Sequence, residues 1–183
     1  MNKISKSIAW ALLLVTFPVA SLAAGWVADF SFDADAAYDD NFLMNDVEQD
    51  SWVYSLSPEV SLIYVSPVIK SELDARLALK RYSEFDQFDS EDPAFNWNNS
   101  YKMERSTWSL NFGYSENSQR DAAEQDTGQF DSNTLVETTH VDPGVVFRVT
   151  EKDDLGISFG YTERAYDTDD FSDNDNQTVG LNW

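Results

Sequence analysis

Apolar and polar side chains alternate with a period of two along most of this chain. Trp26, Ala28, Phe30, Phe32, Ala34 and Ala36 fall on one side of an extended segment. Val27, Asp29, Ser31, Asp33, Asp35 and Ala37 fall on the other. Successive side chains of a strand point to opposite faces, so this segment reads as a strand with one greasy and one mostly acidic or small face. The rhythm recurs and predicts eight strands. The first runs from Trp26 to about Tyr38, the second from Trp52 to Val65 and the third from Val68 to about Tyr82. The fourth covers Phe95 to Met103, the fifth Thr107 to Ser115 and the sixth roughly Thr134 to Val149. The seventh carries Leu155, Ile157, Phe159 and Tyr161 on one face, and a short eighth carries Val179, Leu181 and Trp183.

Two prolines and a tyrosine interrupt the pattern. Pro58 lies inside the second strand, and proline cannot donate to a ladder, so a bulge or bend is expected there; Pro143 weakens the assignment of the middle of the sixth strand. Tyr82 falls on the polar side of the third strand; a bulge near Lys80 and Arg81 would return it to the apolar side.

The connections alternate in length. Ser66-Pro67, Glu104-Arg105-Ser106 and Glu151-Lys152-Asp153 are tight turns, whereas segments 39–51, 83–94, 116–133 and 167–176 are long and hold most of the acids. An internal repeat marks the hairpins. Glu104-Arg105 precedes Phe112-Gly113-Tyr114-Ser115-Glu116, and Glu151-Lys152 precedes Phe159-Gly160-Tyr161-Thr162-Glu163 at the same spacing. Short turns on one rim and long loops on the other are the plan of a bacterial outer-membrane barrel, whose strands need roughly nine to eleven residues to span lipid. Trp26, Trp52, Tyr64, Trp108, Tyr114, Tyr161 and Trp183 lie near strand ends, where aromatic girdles sit. The expected fold is all-β: an antiparallel up-and-down transmembrane β-barrel of about eight strands, either complete or a fragment of a larger barrel.

The first 23 residues change the picture by placing the chain outside the cytoplasm. Lys3 and Lys6, an apolar run from Ile8 to Val15, and Ser21-Leu22-Ala23 read as a signal peptide with its cleavage site. Residues 24–183 then form the barrel domain. The chain has no cysteine, so disulfides cannot hold this exported domain together. A closed hydrogen-bonded sheet in lipid would serve instead. The formal charge of −21 becomes −23 once Lys3 and Lys6 leave with the signal. So acidic a chain, without a basic patch, argues against nucleic-acid binding.

Several segments carry a resemblance. Tyr101-Lys102-Met103-Glu104-Arg105-Ser106-Thr107-Trp108-Ser109-Leu110-Asn111 resembles a hairpin of a family of Gram-negative outer-membrane β-barrels, as do Val149-Thr150-Glu151-Lys152 and Asp39-Asp40-Asn41-Phe42. Members of that family are described as β-barrel porins associated with exopolysaccharide or surface-polysaccharide systems. The resemblance spans most of the mature chain, and its motifs specify fold far better than activity. It implies outer-membrane lipid and lipopolysaccharide as surroundings and the barrel-assembly machinery as a partner in biogenesis. Many relatives continue through further hairpins, whereas this sequence ends at Trp183. A terminal aromatic preceded by Val179 and Leu181 resembles the signal that the assembly machinery reads; the same ending falls where a longer relative would turn again.

Candidate chemistry is sparse. His140 is the only histidine, so a nucleophile–base pair or a zinc site would have to be built around it, and a polar residue at a strand bend is the plainer reading. The segment Asp167-Thr168-Asp169-Asp170-Phe171-Ser172-Asp173-Asn174-Asp175 offers Asp167, Asp169, Asp173 and Asp175 as calcium ligands, but it lacks the glycine and terminal glutamate of an EF-hand loop. A solvated, self-repelling loop is the plainer alternative. Divalent cations bridging such loops to lipopolysaccharide are a looser possibility. Glu59, Lys70, Glu72, Asp74, Arg76 and Arg148 are expected to face the lumen, either as a polar path for solute or as a plug of ion pairs in a barrel too narrow to conduct. No cofactor is implied. The functional expectation is a non-enzymatic outer-membrane barrel, structural or porin-like, with a possible role in surface-polysaccharide export. The alternative is a secreted, soluble, acidic β-sandwich that binds a partner through its loops.

Overall fold

The computed structural model describes residues 25–40, 49–118, 134–168 and 171–183. Eight strands form one antiparallel sheet in chain order: β1 (Trp26–Asp39), β2 (Ser51–Val65), β3 (Ile69–Tyr82), β4 (Ser90–Lys102), β5 (Ser106–Ser118), β6 (Leu135–Arg148), β7 (Asp154–Tyr166) and β8 (Asn174–Asn182). Every strand pairs with its sequence neighbours, as tight turns require. The sheet is open. β1 and β8 are its edges and do not pair with each other, so the closed ring expected from the sequence is not formed by these eight strands.

The anticipated strands are all present, and four are longer than the alternation indicated. β4 begins at Ser90 rather than Phe95, β5 continues to Ser118, and β8 starts at Asn174. β7 continues past Tyr161 to Tyr166. Between β3 and β4 a single 3-10 turn, Asp86–Phe88, occupies part of the predicted loop. Most of two further loops, 41–48 and 119–133, lies outside the described residues.

Neither a bulge at Pro58 nor one near Lys80 and Arg81 forms, and β6 runs through Pro143. Leu56 opposes Leu79 and Glu59 opposes Arg76, so the β2–β3 ladder lapses around Pro58 and resumes in the same register. Around Pro143, Val141 opposes Tyr161 and Gly144 opposes Ser158, again without a slip. Each proline removes a donor without adding a residue to its strand. Tyr82 remains on the polar face because β3 holds one register against β4 from Ile69–Tyr101 to Lys80–Ser90. At the rim it is buried, with 9% exposure, and its N–H donates to Asp89 Oδ1 at 2.9 Å.

An unbroken register gives the sheet two chemically distinct faces, because one slipped residue would have exchanged them. Trp26, Tyr64, Ser71, Asn99, Leu110, Pro143, Phe159 and Val179 all lie on one face, which carries most of the large apolar side chains. Near the short turns Trp26 meets Tyr64 with ring centroids 5.1 Å apart, and Trp108 meets Phe147 edge-on at 6.1 Å. Toward the long loops Tyr38 meets Trp52 at 5.4 Å. Two aromatic bands therefore bracket the apolar face. No second layer covers it: Tyr82 is the only buried hydrophobic residue among those described.

The sheet is also sheared. Direct partners run in one row from Ser31 through Glu59, Arg76, Ala94, Ser115, Thr138 and Arg164 to Asn174. Ser31 lies about eight residues short of the top of β1 at Asp39, while Asn174 is the top residue of β8. That stagger accumulates in one direction, at about one residue per strand. With about 3.4 Å per residue and 4.8 Å between strands it tilts the strands about 30–40° from the perpendicular to the rims.

The rims are fixed by local hydrogen bonds. At the short turns Ser66 N donates to Ile69 O at 2.8 Å and Met103 N to Ser106 O at 2.7 Å, and Thr150 Oγ1 accepts the Lys152 and Asp153 N–H groups at 3.1 and 3.0 Å. At the long-loop rim aspartates take this role. Asp167 Oδ1 accepts the Leu135 N–H and Asp173 Oδ1 accepts the Tyr166 N–H, both at 2.9 Å.

Candidate functional site

The polar face is the surface on which chemistry collects. Register places all six expected lumen residues there. Glu59 stands directly opposite Arg76, and Asp74 directly opposite Ser61, whose hydroxyl donates to Asp74 Oδ1 at 2.5 Å. Lys70 Nζ lies 3.4 Å from Glu72 Oε2, and Arg148 Nε 3.9 Å from Asp154 Oδ1. Both ion pairs are substantially exposed, so each contributes under about 1 kcal/mol. These residues line the face without forming one compact cluster.

A hydrogen-bonded row that the sequence reading did not identify crosses the middle of the face. Asn111 donates through Nδ2 to Asn98 Oδ1 at 2.5 Å, and its own Oδ1 lies 2.6 Å from His140 Nε2. That contact requires His140 to carry its proton on Nε2. The ring lies over Gly113, its direct partner on β5, where an added Cβ would sit 2.0 Å from His140 Cε1. Glycine is used here because the imidazole needs the room. Local patterning marked His140 and Asn111 only as polar; their meeting depends on cross-strand register. Beside this row is a shallow cavity of about 270 Å³, lined among others by Lys70, Glu72, Asn98, Asn111 and Asp142. A second, of about 240 Å³, is lined by Asp74, Arg76, Asn96 and His140.

β1 adds a column of carboxylates. Asp29, Asp33, Asp35 and Asp39 stand opposite Ser61, Ser57, Ser55 and Ser51. Neither β2 nor β8 contains a lysine or arginine. The acidic side of β1 was visible in the sequence; its position at a sheet edge beside serines was not.

The calcium candidates do not converge. Asp167 and Asp173 cap backbone N–H groups at different strand ends, Asp175 lies on the apolar face opposite Glu163, and Asp169 lies outside the described residues. Among the described residues no group of three His, Asp or Glu side chains is placed to hold a metal. On the apolar face at the long-loop rim, Arg81 donates to Glu91 and to Ser90 O, the latter at 3.0 Å, and lies 3.5 Å from Asp89. This charged group ties the top of β3 to β4 above the apolar band.

Comparison with known protein families, with curated proteins and with solved structures gives no match for this chain.

Proposed function

We propose that this chain is an integral outer-membrane β-barrel protein, non-catalytic and porin-like, whose apolar face meets lipid and whose polar face lines a lumen. The observation that carries the reading is the continuous apolar face across eight strands, bracketed by aromatic bands and covered by no second layer among the described residues. In water such a face would drive aggregation; in hydrocarbon it is matched. The uniform stagger agrees, because strands of membrane barrels tilt by about 35–45°. A soluble sandwich would require the strands to divide into two packed sheets, whereas all eight belong to one. Among the described residues no helix is long and apolar enough to cross a membrane; strands would do so here.

The lumen chemistry favours small polar solutes, with a preference for cations set by the β1 carboxylates. The link to surface-polysaccharide export rests on the sequence resemblance alone, and so does lipopolysaccharide as the surrounding lipid.

The test is folding of residues 24–183 from denaturant with and without detergent micelles or lipid vesicles. The expected product folds only with amphiphile and migrates differently on a gel before and after boiling. Planar-bilayer recordings then test conduction. A monomer that folds in plain buffer would refute the membrane reading.

A further inference from the structure

We propose that the part of the polar face built by β4 and β5 binds a small, neutral, polyhydroxylated solute, of the size of a single sugar ring, across the row of Asn98, Asn111 and His140. The inference rests on the lumen reading above and names the class of solute held there.

Neutrality sets this part of the face apart. On the polar face β5 offers Thr107, Ser109, Asn111, Gly113, Ser115 and Asn117, with no ionisable group among them. Between Asp92 and Lys102, β4 adds Ala94, Asn96, Asn98 and Ser100. In a chain of which 25% is charged, two adjacent strands share an uncharged field of amides and hydroxyls. The charges that line the flanking cavities nearly cancel: Lys70 and Arg76 stand against Glu72, Asp74 and Asp142. Lys70 Nζ is 3.4 Å from Glu72 Oε2, and Asp74 accepts the Ser61 hydroxyl. Lys80, Lys102, Arg148 and Arg164 share the face but line neither cavity.

The row is held in place and still has groups to offer. Asn98 Oδ1 accepts one N–H of Asn111, and Asn111 Oδ1 accepts the His140 Nε2–H. A carboxamide has two N–H donors and a neutral imidazole one acceptor nitrogen. The Asn98 amide N–H groups, the second N–H of Asn111 and His140 Nδ1 are therefore left to a solute. Asp142 stands directly opposite Asn111 and supplies acceptors at the end of the row; the paired Ser100 and Ser109 supply hydroxyls beside it. Donors and acceptors thus lie side by side. An ammonium group only donates and a carboxylate only accepts, whereas a hydroxyl does both. A ring with several hydroxyls satisfies these groups together, and the cavities of about 270 and 240 Å³ give it room. Side chains already fixed by one another lose little freedom on binding. Neutral hydrogen bonds also keep the affinity weak, as passage through a lumen requires.

The probe is D-glucose, with methylammonium and acetate as charged probes. Residues 24–183 are folded in deuterated detergent, and binding is read by saturation-transfer NMR, which detects weak, rapidly exchanging ligands. Glucose should receive saturation, equally at low and high potassium chloride, because salt screens charges and not neutral hydrogen bonds. Asn98→Ala and Asn111→Ala should each weaken binding about tenfold. Ser109→Ala, which leaves the amide row intact, should weaken it about threefold. Ser57→Ala, on the polar face of β2, should leave it unchanged. Gel migration before and after boiling checks that each variant is folded. The proposal is overturned by no transfer to glucose, by stronger and salt-sensitive transfer to either charged probe, or by folded variants at positions 98, 109 and 111 that bind glucose as the parent does. The membrane reading survives each of these results provided that folding requires amphiphile; folding in plain buffer removes that reading and this one with it.

Discussion

Placing one arginine at different heights on the apolar face separates a lipid surrounding from a protein one. Val60 lies on that face between Phe30 and Ala75, five residues from the end of β2 at Val65. At about 3.4 Å per residue and a tilt near 35°, it sits about 14 Å above the short-turn rim, close to the middle of an apolar band about 25 Å tall. Tyr64, one residue from the same strand end, sits about 3 Å from that rim. In lipid, arginine costs about 2–4 kcal/mol at the midplane and about 0–1 kcal/mol at the interface. Val60→Arg should therefore lower the folded-to-unfolded ratio about 30- to 700-fold, and Tyr64→Arg by no more than about fivefold. Ser61→Arg, at the neighbouring position on the polar face, should cost far less than Val60→Arg. The assay is reversible urea unfolding of residues 24–183 in phospholipid vesicles followed by tryptophan fluorescence, with the five tryptophans of that segment as reporters. Equal costs at positions 60 and 64, or a tolerated arginine at 60, would refute the assignment of this face to hydrocarbon. A second protein layer predicts costs that follow local packing and not depth.

Other consequences follow from the polar face. Gly113→Ala should destabilise by about 1–3 kcal/mol because its Cβ collides with the His140 ring; in a His140→Ala background that cost should nearly vanish, and a double-mutant cycle measured by urea unfolding reads the difference. Glu72→Gln should change stability by under about 1 kcal/mol, since its ion pair with Lys70 is exposed; a larger loss in the same titration would mean that the pair is desolvated. Asp33→Lys together with Asp35→Lys should reduce cation preference, seen as a reversal potential closer to zero across a potassium chloride gradient. An unchanged potential would place β1 away from the conducting path.

The sequence by itself determined the strands and the faces. Residues of one strand that alternate in polarity must separate to opposite sides, whatever surrounds them, so Glu59, Lys70, Glu72, Asp74, Arg76 and Arg148 could be assigned to one face from local pattern alone. Short turns such as Ser66-Pro67 likewise dictated which strands are neighbours. Pattern could not say how far each strand slides past the next, because apolar alternation is satisfied by any even shift. Only the tertiary structure decided that Pro58 and Pro143 interrupt the ladder without slipping it, that Tyr82 stays on the polar side, and that His140 lies over Gly113 within reach of Asn111. It also left β1 and β8 apart, since curvature accumulates over seven strand pairings and no single segment encodes it. Face is a property of one strand; register and closure belong to the whole sheet.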